Sequence, residues 1–225
     1  MREALSPDRL NQISNEETMA LLLAIRGQGI MERSLLNAFE ATPRRMFLNA
    51  GQVHGGLSPE SSAPISCGQV QTAPTTIARV VRALAIEPGD AVLEIGTGSG
   101  YQSAIIARFC RKLHTLDRFR TLIDECHVRF QGLRLTNILA ELGDGEQGVD
   151  GNDVFDRIVV NAAVKSVPRR LFEQLKLGGT LVAPLIDGQG AVNLVVHAKK
   201  QGGIEQHLLG PARYLPIIPG IAQRL

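Results

Sequence analysis

The spacing of hydrophobic and polar positions changes along the chain, and the changes divide it into elements. From about residue 14 to 47 apolar residues recur at helical spacing until Pro43 interrupts them, and Ser14 with Glu17 matches a capping box. A stretch rich in glycine, serine and proline follows, over residues 48–74, without a clear period. We therefore expect an N-terminal helical extension, then a long irregular loop, then a helix that begins at Pro74.

After this helix, short apolar runs alternate with helical patterns. The predicted strands are residues 91–95, 112–117, 138–145, 155–163 and 177–185, and the predicted helices between them are residues 121–133 and 167–176. Strands separated by helices indicate a parallel, doubly wound sheet. Two further strands, joined at residues 201–203, are predicted near the C-terminus. The fold class is therefore α/β, with a mostly parallel seven-stranded sheet and an N-terminal helical extension.

Composition and charge narrow the possible functions. The 225 residues hold 24 Lys and Arg against 22 Asp and Glu, and no basic run is interleaved with aromatic residues. Nucleic acid is therefore not indicated as a partner. No apolar run approaches the roughly 20 residues of a membrane span, and the N-terminus is too polar for a secretory signal, so we expect a cytoplasmic protein. Three cysteines without C-x-x-C spacing indicate neither a disulfide framework nor a zinc site.

The most informative stretch is VLEIGTGSGYQSA, residues 92–104, where a predicted strand runs into a glycine-rich turn and then a helix. Gly96, Gly98 and Gly100 spell G-x-G-x-G, whereas a dinucleotide fingerprint needs its third glycine one position later, where Tyr101 stands. The turn also lacks the lysine and hydroxyl of a P-loop. Small residues let the backbone approach a ligand, and the following helix presents free N–H groups suited to a carboxylate.

Acidic residues follow the next two predicted strands. Asp117 stands where a carboxylate can accept hydrogen bonds from both hydroxyls of a ribose, and Asp144 comes at the end of the following strand. In an open parallel sheet, ligands bind beyond the carboxyl ends of the strands. Together with the glycine-rich turn, these acids predict a site for an adenosine-bearing ligand without phosphates.

This arrangement resembles the class I S-adenosylmethionine-dependent methyltransferases and, within them, the protein-L-isoaspartate O-methyltransferase family. The resemblance runs from about Leu21 to Ile218, and its specific parts are VLEIGTGSGYQ and a spaced P-I-x-x-G-Q-x-x-T-x-P before the helix at Pro74. Supporting parts are ATPRRMF, LGDG, FDRIVVNAA, LKLGGTLVAPL and ARYLPI. The resemblance implies S-adenosyl-L-methionine as cofactor and methylation of L-isoaspartyl residues in damaged proteins, which starts their repair through a succinimide.

The resemblance also implies roles for individual residues. The loop around the methionine part of the cofactor is expected at Glu94, Gly96, Gly98 and Gly100, and the ribose ligand at Asp117. Adenine contacts are expected at Asp144 and Gly145. Further residues expected at the cofactor are Gln69, Tyr101 and Leu116. No metal ligands are implied.

The segment before Pro74 departs from the family pattern. The family usually reads G-Q-T-I-S, whereas this chain reads GQVQT, with Val70 in place of threonine and Thr72 in place of serine. Thr72 precedes a helix N-terminus, which favours an anion, so we expect its hydroxyl to orient the acceptor carboxylate as the catalytic residue. A carboxylate is ionised at neutral pH and needs no general base. The five histidines accordingly show no triad-like or metal-like spacing.

We expect residues 1–73 to form the helical extension and substrate loop, and residues 74–225 to form the cofactor-binding domain. Two alternatives stay open at this point. One is a methyltransferase of the same fold that acts on a small molecule or tailors a peptide. The other is a non-catalytic module that binds S-adenosylmethionine.

Overall fold

The structure, a computed structural model, describes residues 7–48 and 58–222, with side chains from residue 15 onward. Its strands are β1 (Ala63–Pro64), β2 (Val70–Gln71), β3 (Ala91–Ile95), β4 (Lys112–Asp117), β5 (Ile138–Leu142), β6 (Phe155–Val160), β7 (Leu175–Ile186), β8 (Val192–Lys200) and β9 (Gly203–Pro211). Its α-helices are α1 (Pro7–Gly27), α2 (Arg33–Glu40), α3 (Pro74–Leu84), α4 (Tyr101–Ile106), α5 (Arg120–Gly132) and α6 (Arg169–Gln174). No helix in this part of the chain is long and apolar enough to cross a membrane.

The main sheet has seven strands in the order β5-β4-β3-β6-β7-β8-β9. Neighbouring strands from β5 to β7 pair in parallel, whereas β8 and β9 add an antiparallel hairpin beside β7. A separate antiparallel pair, β1 with β2, precedes α3. The predicted mostly parallel seven-stranded sheet is thus confirmed, because each predicted strand forms and the last two make the expected hairpin.

Helices cover both faces of the sheet, which is why its central strands are largely buried. All five residues of β3 are buried. On one face, α3, α4 and α5 contribute Ile77, Ile105 and Ile123 to the largest core cluster. On the other face, Leu171 of α6 packs in a second cluster with Leu93 of β3. The doubly wound arrangement brings the carboxyl ends of β3, β4 and β6 together at one edge.

The N-terminal extension forms two α-helices joined by a short turn. α1 already begins at Pro7, before the predicted start at Ser14, whose side chain lies outside the described residues. The turn between the helices contains Gly29 with φ 76, a left-handed value that favours glycine and ends the helix. The extension joins the core on the α3 side of the sheet through Leu21, Ile25, Leu36 and Phe39.

The predicted irregular loop is described from residue 58 onward. It contains β1, β2 and a single 3-10 turn at Ser66–Gly68. The next helix, α3, begins at Pro74 as predicted, because proline at the first helical position needs no N–H partner. The buried apolar face of α3, which includes Ile77, Val81 and Leu84, fixes the end of this loop against the sheet.

Candidate cofactor and substrate site

The glycine-rich turn connects the carboxyl end of β3 to the first residue of α4. Gly96, Gly98 and Gly100 have φ values of 89, 55 and 83, a left-handed conformation that other residues rarely adopt. A Cβ at Gly100 would lie 2.8 Å from the ring of Phe130 and 2.9 Å from the sulfur of Cys126. The turn therefore requires glycine both for its backbone and for the close packing beneath it.

A cavity opens beside this turn, at the carboxyl ends of β3, β4 and β6. Its walls are formed by Gln69, Ile95, Gly96, Leu116, Asp117, Arg118, Phe119, Gly143, Gly145, Asn161, Ala162, Pro216, Ile217 and Ile218. The predicted cofactor residues among them are Gln69, Gly96, Leu116, Asp117 and Gly145. A wider groove runs along the edge strand β5 past His114 and Glu141, but no residue of the glycine-rich turn lines it. The cavity at the strand ends is thus the better cofactor site.

Asp117 ends β4 and faces the glycine-rich turn. Its Oδ2 accepts the backbone N–H of Gly98 at 2.8 Å, and its Oδ1 accepts that of Phe119 at 3.0 Å. Only 7% of the residue is exposed, and burial raises its pKa while the backbone donors act against the rise. The carboxylate is therefore held rigidly in the cavity wall, and each oxygen can accept a further hydrogen bond.

Glu94, the acidic residue of the glycine motif, lies beneath the cavity. It is fully buried, and burial raises its pKa to about 7. Four side chains donate hydrogen bonds to its carboxylate: Gln102, Ser103, Thr115 and Asn161. Glu94 therefore supports the turn from below instead of lining the cavity.

Asn161 links this buried network to the cavity, and sequence reasoning missed it. Its Nδ2 donates to Glu94 Oε1 and to the carbonyl of Gly96, both at 3.0 Å. It follows the last residue of β6 and lines the cavity. The available signal was its place: a polar residue directly after an apolar strand that ends at the same edge of the sheet as β3.

Two other predicted residues have side chains outside the cavity lining. Tyr101, at the start of α4, points into the core, where its ring lies 5.4 Å from that of Phe47 and 6.3 Å from that of Phe39. Asp144 is half-buried and accepts the backbone N–H of Glu146 at 3.0 Å. The cavity is instead lined by the glycines on either side of Asp144.

The loop at residues 58–73, which we expect to be the substrate loop, is tied to both the helical extension and the glycine-rich turn. Gln71 is only 4% exposed. It accepts a hydrogen bond from Arg44 Nε at 2.6 Å and donates one to the hydroxyl of Ser99 at 3.0 Å. Arg44 also donates to the carbonyls of Ser58 and Ser61. Thr72, the predicted catalytic residue, follows Gln71 and is half-buried. Sequence reasoning missed Arg44 and Gln71 because their partners are distant in the chain.

The C-terminal segment, residues 212–222, closes the remaining side of the cavity. The N–H of Ala163 donates to the carbonyl of Leu215, and the N–H of Ile217 donates back to Ala163. Further along, Arg118 Nε donates to the carbonyl of Gly220 at 3.0 Å. These bonds carry the segment across the ends of β6 and β4, so that residues 216–218 form part of the cavity wall.

The residues around the cavity fit S-adenosylmethionine in chemical character. Asp117 offers carboxylate oxygens to ribose hydroxyls, while Ile95, Leu116 and Ile217 offer apolar surface to an adenine ring. Residue 145 must be glycine for steric reasons, since a Cβ there would lie 2.2 Å from Ile95. Over residues 7–48 and 58–222, no group of three His, Cys, Asp or Glu residues could hold a metal ion.

The sheet order, the glycine-rich turn after β3 and the acid at the end of β4 define a Rossmann-like methyltransferase domain. The family model for protein-L-isoaspartate(D-aspartate) O-methyltransferase matches residues 15–221. The chain belongs to this family.

Curated relatives agree with this assignment over nearly the whole chain. The chain is 36% identical to a protein-L-isoaspartate O-methyltransferase of Parvibaculum lavamentivorans, over 99% of both proteins. It is 40% identical to one of Caulobacter vibrioides, over 90% of this chain and 91% of the relative.

Solved structures agree on the fold. One protein-L-isoaspartate O-methyltransferase, 21% identical, superposes with a TM-score of 0.80 over 91% of this chain and 67% of its own. A beta-aspartate methyltransferase of Plasmodium falciparum, solved in complex with S-adenosyl-L-homocysteine, gives a TM-score of 0.74 at 21% identity, over 88% of this chain and 96% of its own.

Proposed function

We propose that this protein transfers the methyl group of S-adenosyl-L-methionine to the free α-carboxylate of L-isoaspartyl residues in damaged proteins, and so starts their repair. The observation that carries the proposal is the contact between the substrate loop and the glycine-rich turn beside the cofactor cavity. Gln71, directly before Thr72, donates to Ser99 in the glycine-rich turn at 3.0 Å. Membership of the family and the nearly full-length match to relatives named for this reaction support it.

In this proposal the cofactor lies along the carboxyl ends of β3 and β4. S-adenosyl-L-methionine would supply a methyl group on a sulfonium, whose carbon an oxygen nucleophile can attack directly while the electron pair of the broken C–S bond leaves with S-adenosylhomocysteine. Asp117 accepts hydrogen bonds from the ribose hydroxyls, and the backbone of Gly96–Gly100 approaches the methionine part. Asp144 and Gly145 flank the adenine, and Gln69 with Leu116 contributes to the walls. Glu94 acts through Asn161 by fixing the turn, and Tyr101 through the packing of α4.

The acceptor needs orientation more than activation. A carboxylate with a pKa of about 4 is already ionised at neutral pH, so the protein needs no general base. Thr72 donates one hydrogen bond to a carboxylate oxygen and leaves the other oxygen free to attack. The substrate loop and the C-terminal segment exclude water from the reacting groups.

We further infer a division of labour along the chain. Residues 1–73 provide the extension and the substrate loop, and residues 74–225 provide the cofactor-binding domain. The partners are proteins or peptides that contain isoaspartyl residues, in the cytoplasm, with no role for nucleic acid or membrane. The formal charge of +2 supports this choice of partner, because a nearly balanced surface gives little attraction to polyanions.

Radiolabelled methyl transfer to an isoaspartyl peptide, beside its normal aspartyl twin, tests the proposal. We expect label in the isoaspartyl peptide alone, and binding of S-adenosylhomocysteine by calorimetry. Transfer to neither peptide would contradict the proposed acceptor and favour a different substrate. Cofactor binding with no transfer to any acceptor would favour a non-catalytic module.

A further inference from the structure

The C-terminal segment carries a tyrosine side chain to the substrate loop. The hydroxyl of Tyr214 is buried and lies against the hydroxyl of Thr72. This contact falls short of a well-formed hydrogen bond, and no other described residue bonds to the Tyr214 oxygen. A buried polar group without a partner is unfavourable, so its presence calls for an explanation.

Other buried side-chain atoms without a partner in the described structure lie elsewhere. The Tyr101 hydroxyl lies in the core near Phe47, and Gln102 Oε1 belongs to the network around Glu94. His197 belongs to β8. Both of its ring nitrogens lack a partner, and its ring packs edge-on against Phe172. Tyr214 differs from these because its hydroxyl interacts with Thr72, the residue proposed to orient the acceptor.

The position of Tyr214 is fixed by the chain on both sides. Before it, Arg79 on α3 donates to the carbonyls of Leu209 and Pro211 at 2.9 and 3.2 Å. After it, Leu215 accepts the N–H of Ala163 at 2.8 Å. The backbone on either side of Tyr214 is therefore anchored to α3, which begins just after Thr72, and to the strand end beside the cofactor cavity. Such anchoring lowers the entropy cost of forming one more hydrogen bond.

The proton count at the two hydroxyls allows both to be used at once when a carboxylate is bound. Thr72 has one proton and can give it to only one acceptor at a time. When that proton is donated to an acceptor carboxylate, the Thr72 oxygen keeps lone pairs that can accept from Tyr214. A donor behind Thr72 would also polarise its hydroxyl and strengthen the bond to the carboxylate.

We propose that Tyr214 is a positioning residue: its phenol donates to the Thr72 hydroxyl when Thr72 donates to the substrate carboxylate. This inference rests on the proposed function, since it requires an acceptor carboxylate at Thr72. Burial raises the pKa of Tyr214, so the phenol keeps its proton at neutral pH. The charged groups that act on the phenol are Arg79 and Glu94.

The test compares Tyr214→Phe with the parent protein in methyl transfer to an isoaspartyl peptide. We expect kcat to fall about three- to tenfold, the effect of one neutral hydrogen bond. Affinity for S-adenosylhomocysteine and the melting temperature should not fall, because phenylalanine keeps the ring and removes only the unpartnered hydroxyl. A loss of cofactor affinity or of stability along with kcat would indicate a merely structural role and overturn the proposal.

A second variant tests whether Tyr214 acts through Thr72. In a Thr72→Val background there is no hydroxyl for the phenol to hold, so adding Tyr214→Phe should lower kcat no further. Effects that multiply in the double variant would overturn the proposal. His197→Leu is the matched control, since it removes another buried group without a partner, remote from the site, and we expect parent kcat.

The parent protein separates this inference from the function on which it rests. No transfer to the isoaspartyl peptide by the parent would overturn the proposed function, and the inference with it. Transfer by the parent at a rate that Tyr214→Phe matches would overturn the inference alone.

Discussion

The glycine-rich turn and the substrate loop lie side by side but are built in different ways. The turn at Gly96–Gly100 is set by its own backbone, with left-handed φ values and packing that excludes a Cβ at Gly100. The substrate loop around Thr72 depends on distant partners, because Arg44 of the extension reaches Gln71 and the carbonyls of Ser58 and Ser61. The glycines of the turn are thus required by its own backbone conformation, although Asn161 and Asp117 also bond to it, whereas the position of the loop depends on distant segments.

The two regions also differ in how they carry charge. The turn rests on the buried carboxyl of Glu94, whose charged form is disfavoured by burial. The loop is held by amide and hydroxyl groups, by the Glu125 carboxylate that accepts from Ser66, and by Arg44, whose charge persists at all ordinary pH values. Changes of pH, or of single side chains, should therefore affect the two regions separately.

The largest expected effect is on the pH dependence of stability through Glu94. Its pKa rises from 4.5 to about 7 on folding, so the folded state holds the proton more tightly. Glu94 therefore makes its full contribution to stability below pH 4.5, and this contribution is lost as the pH rises to about 7. The free energy of unfolding of the parent should fall by about 3 kcal/mol relative to Glu94→Gln across this window.

Denaturant unfolding of both proteins at a series of pH values measures this difference. Glu94→Gln also loses hydrogen bonds, but that loss is a constant offset and does not change with pH. A constant difference between the two proteins from pH 4.5 to 7 would mean that the four donors keep Glu94 ionised throughout, contrary to the raised pKa.

The contrast between the regions explains what the sequence could predict. The strands and the turn follow from local patterns, and β4 was predicted with its observed bounds, Lys112–Asp117. The same local logic located the cavity residues Gly96 and Asp117. Period and glycine spacing are properties of neighbouring residues, so they can be read without the fold.

What could not be predicted depends on contacts between distant segments. Nothing near Gln71 in sequence indicates that Arg44 would reach it, or that Tyr214 would lie against Thr72. The direction of Tyr101 is likewise set by the aromatic rings of the extension. These positions are decided by tertiary packing, which a single sequence does not display.

The next largest effect is expected for Asp117→Ala on cofactor binding. Loss of a charged acceptor for the ribose hydroxyls should weaken S-adenosylhomocysteine binding by about 1.5–3 kcal/mol, measured by calorimetry. Asp144→Ala is the matched control. The half-buried Asp144 carboxylate accepts the backbone N–H of Glu146 and does not line the cavity. We expect a smaller loss there, and equal losses in the two variants would contradict the distinction between them.

Thr72→Val should act on the substrate side alone. Valine keeps the shape and removes the donor, so we expect kcat for the isoaspartyl peptide to fall about tenfold while S-adenosylhomocysteine affinity stays at the parent value. Thr72→Ser restores the hydroxyl and should retain activity. Transfer at the parent rate by Thr72→Val would remove the proposed role of this hydroxyl.

The smallest effect is expected where the two regions touch, at Gln71. Gln71→Leu removes the amide that joins Arg44 to Ser99 and puts an apolar side chain of similar length in its place. The variant loses the charge-assisted bond from Arg44 and the neutral bond to Ser99, but only the lost orientation of the loop acts on the substrate, so we expect KM for the peptide to rise about threefold. Cofactor affinity should not change, because the turn keeps its left-handed backbone and its bonds to Asp117 and Asn161. A matching fall in S-adenosylhomocysteine affinity would mean that the turn also depends on the loop, and that the two regions form one unit.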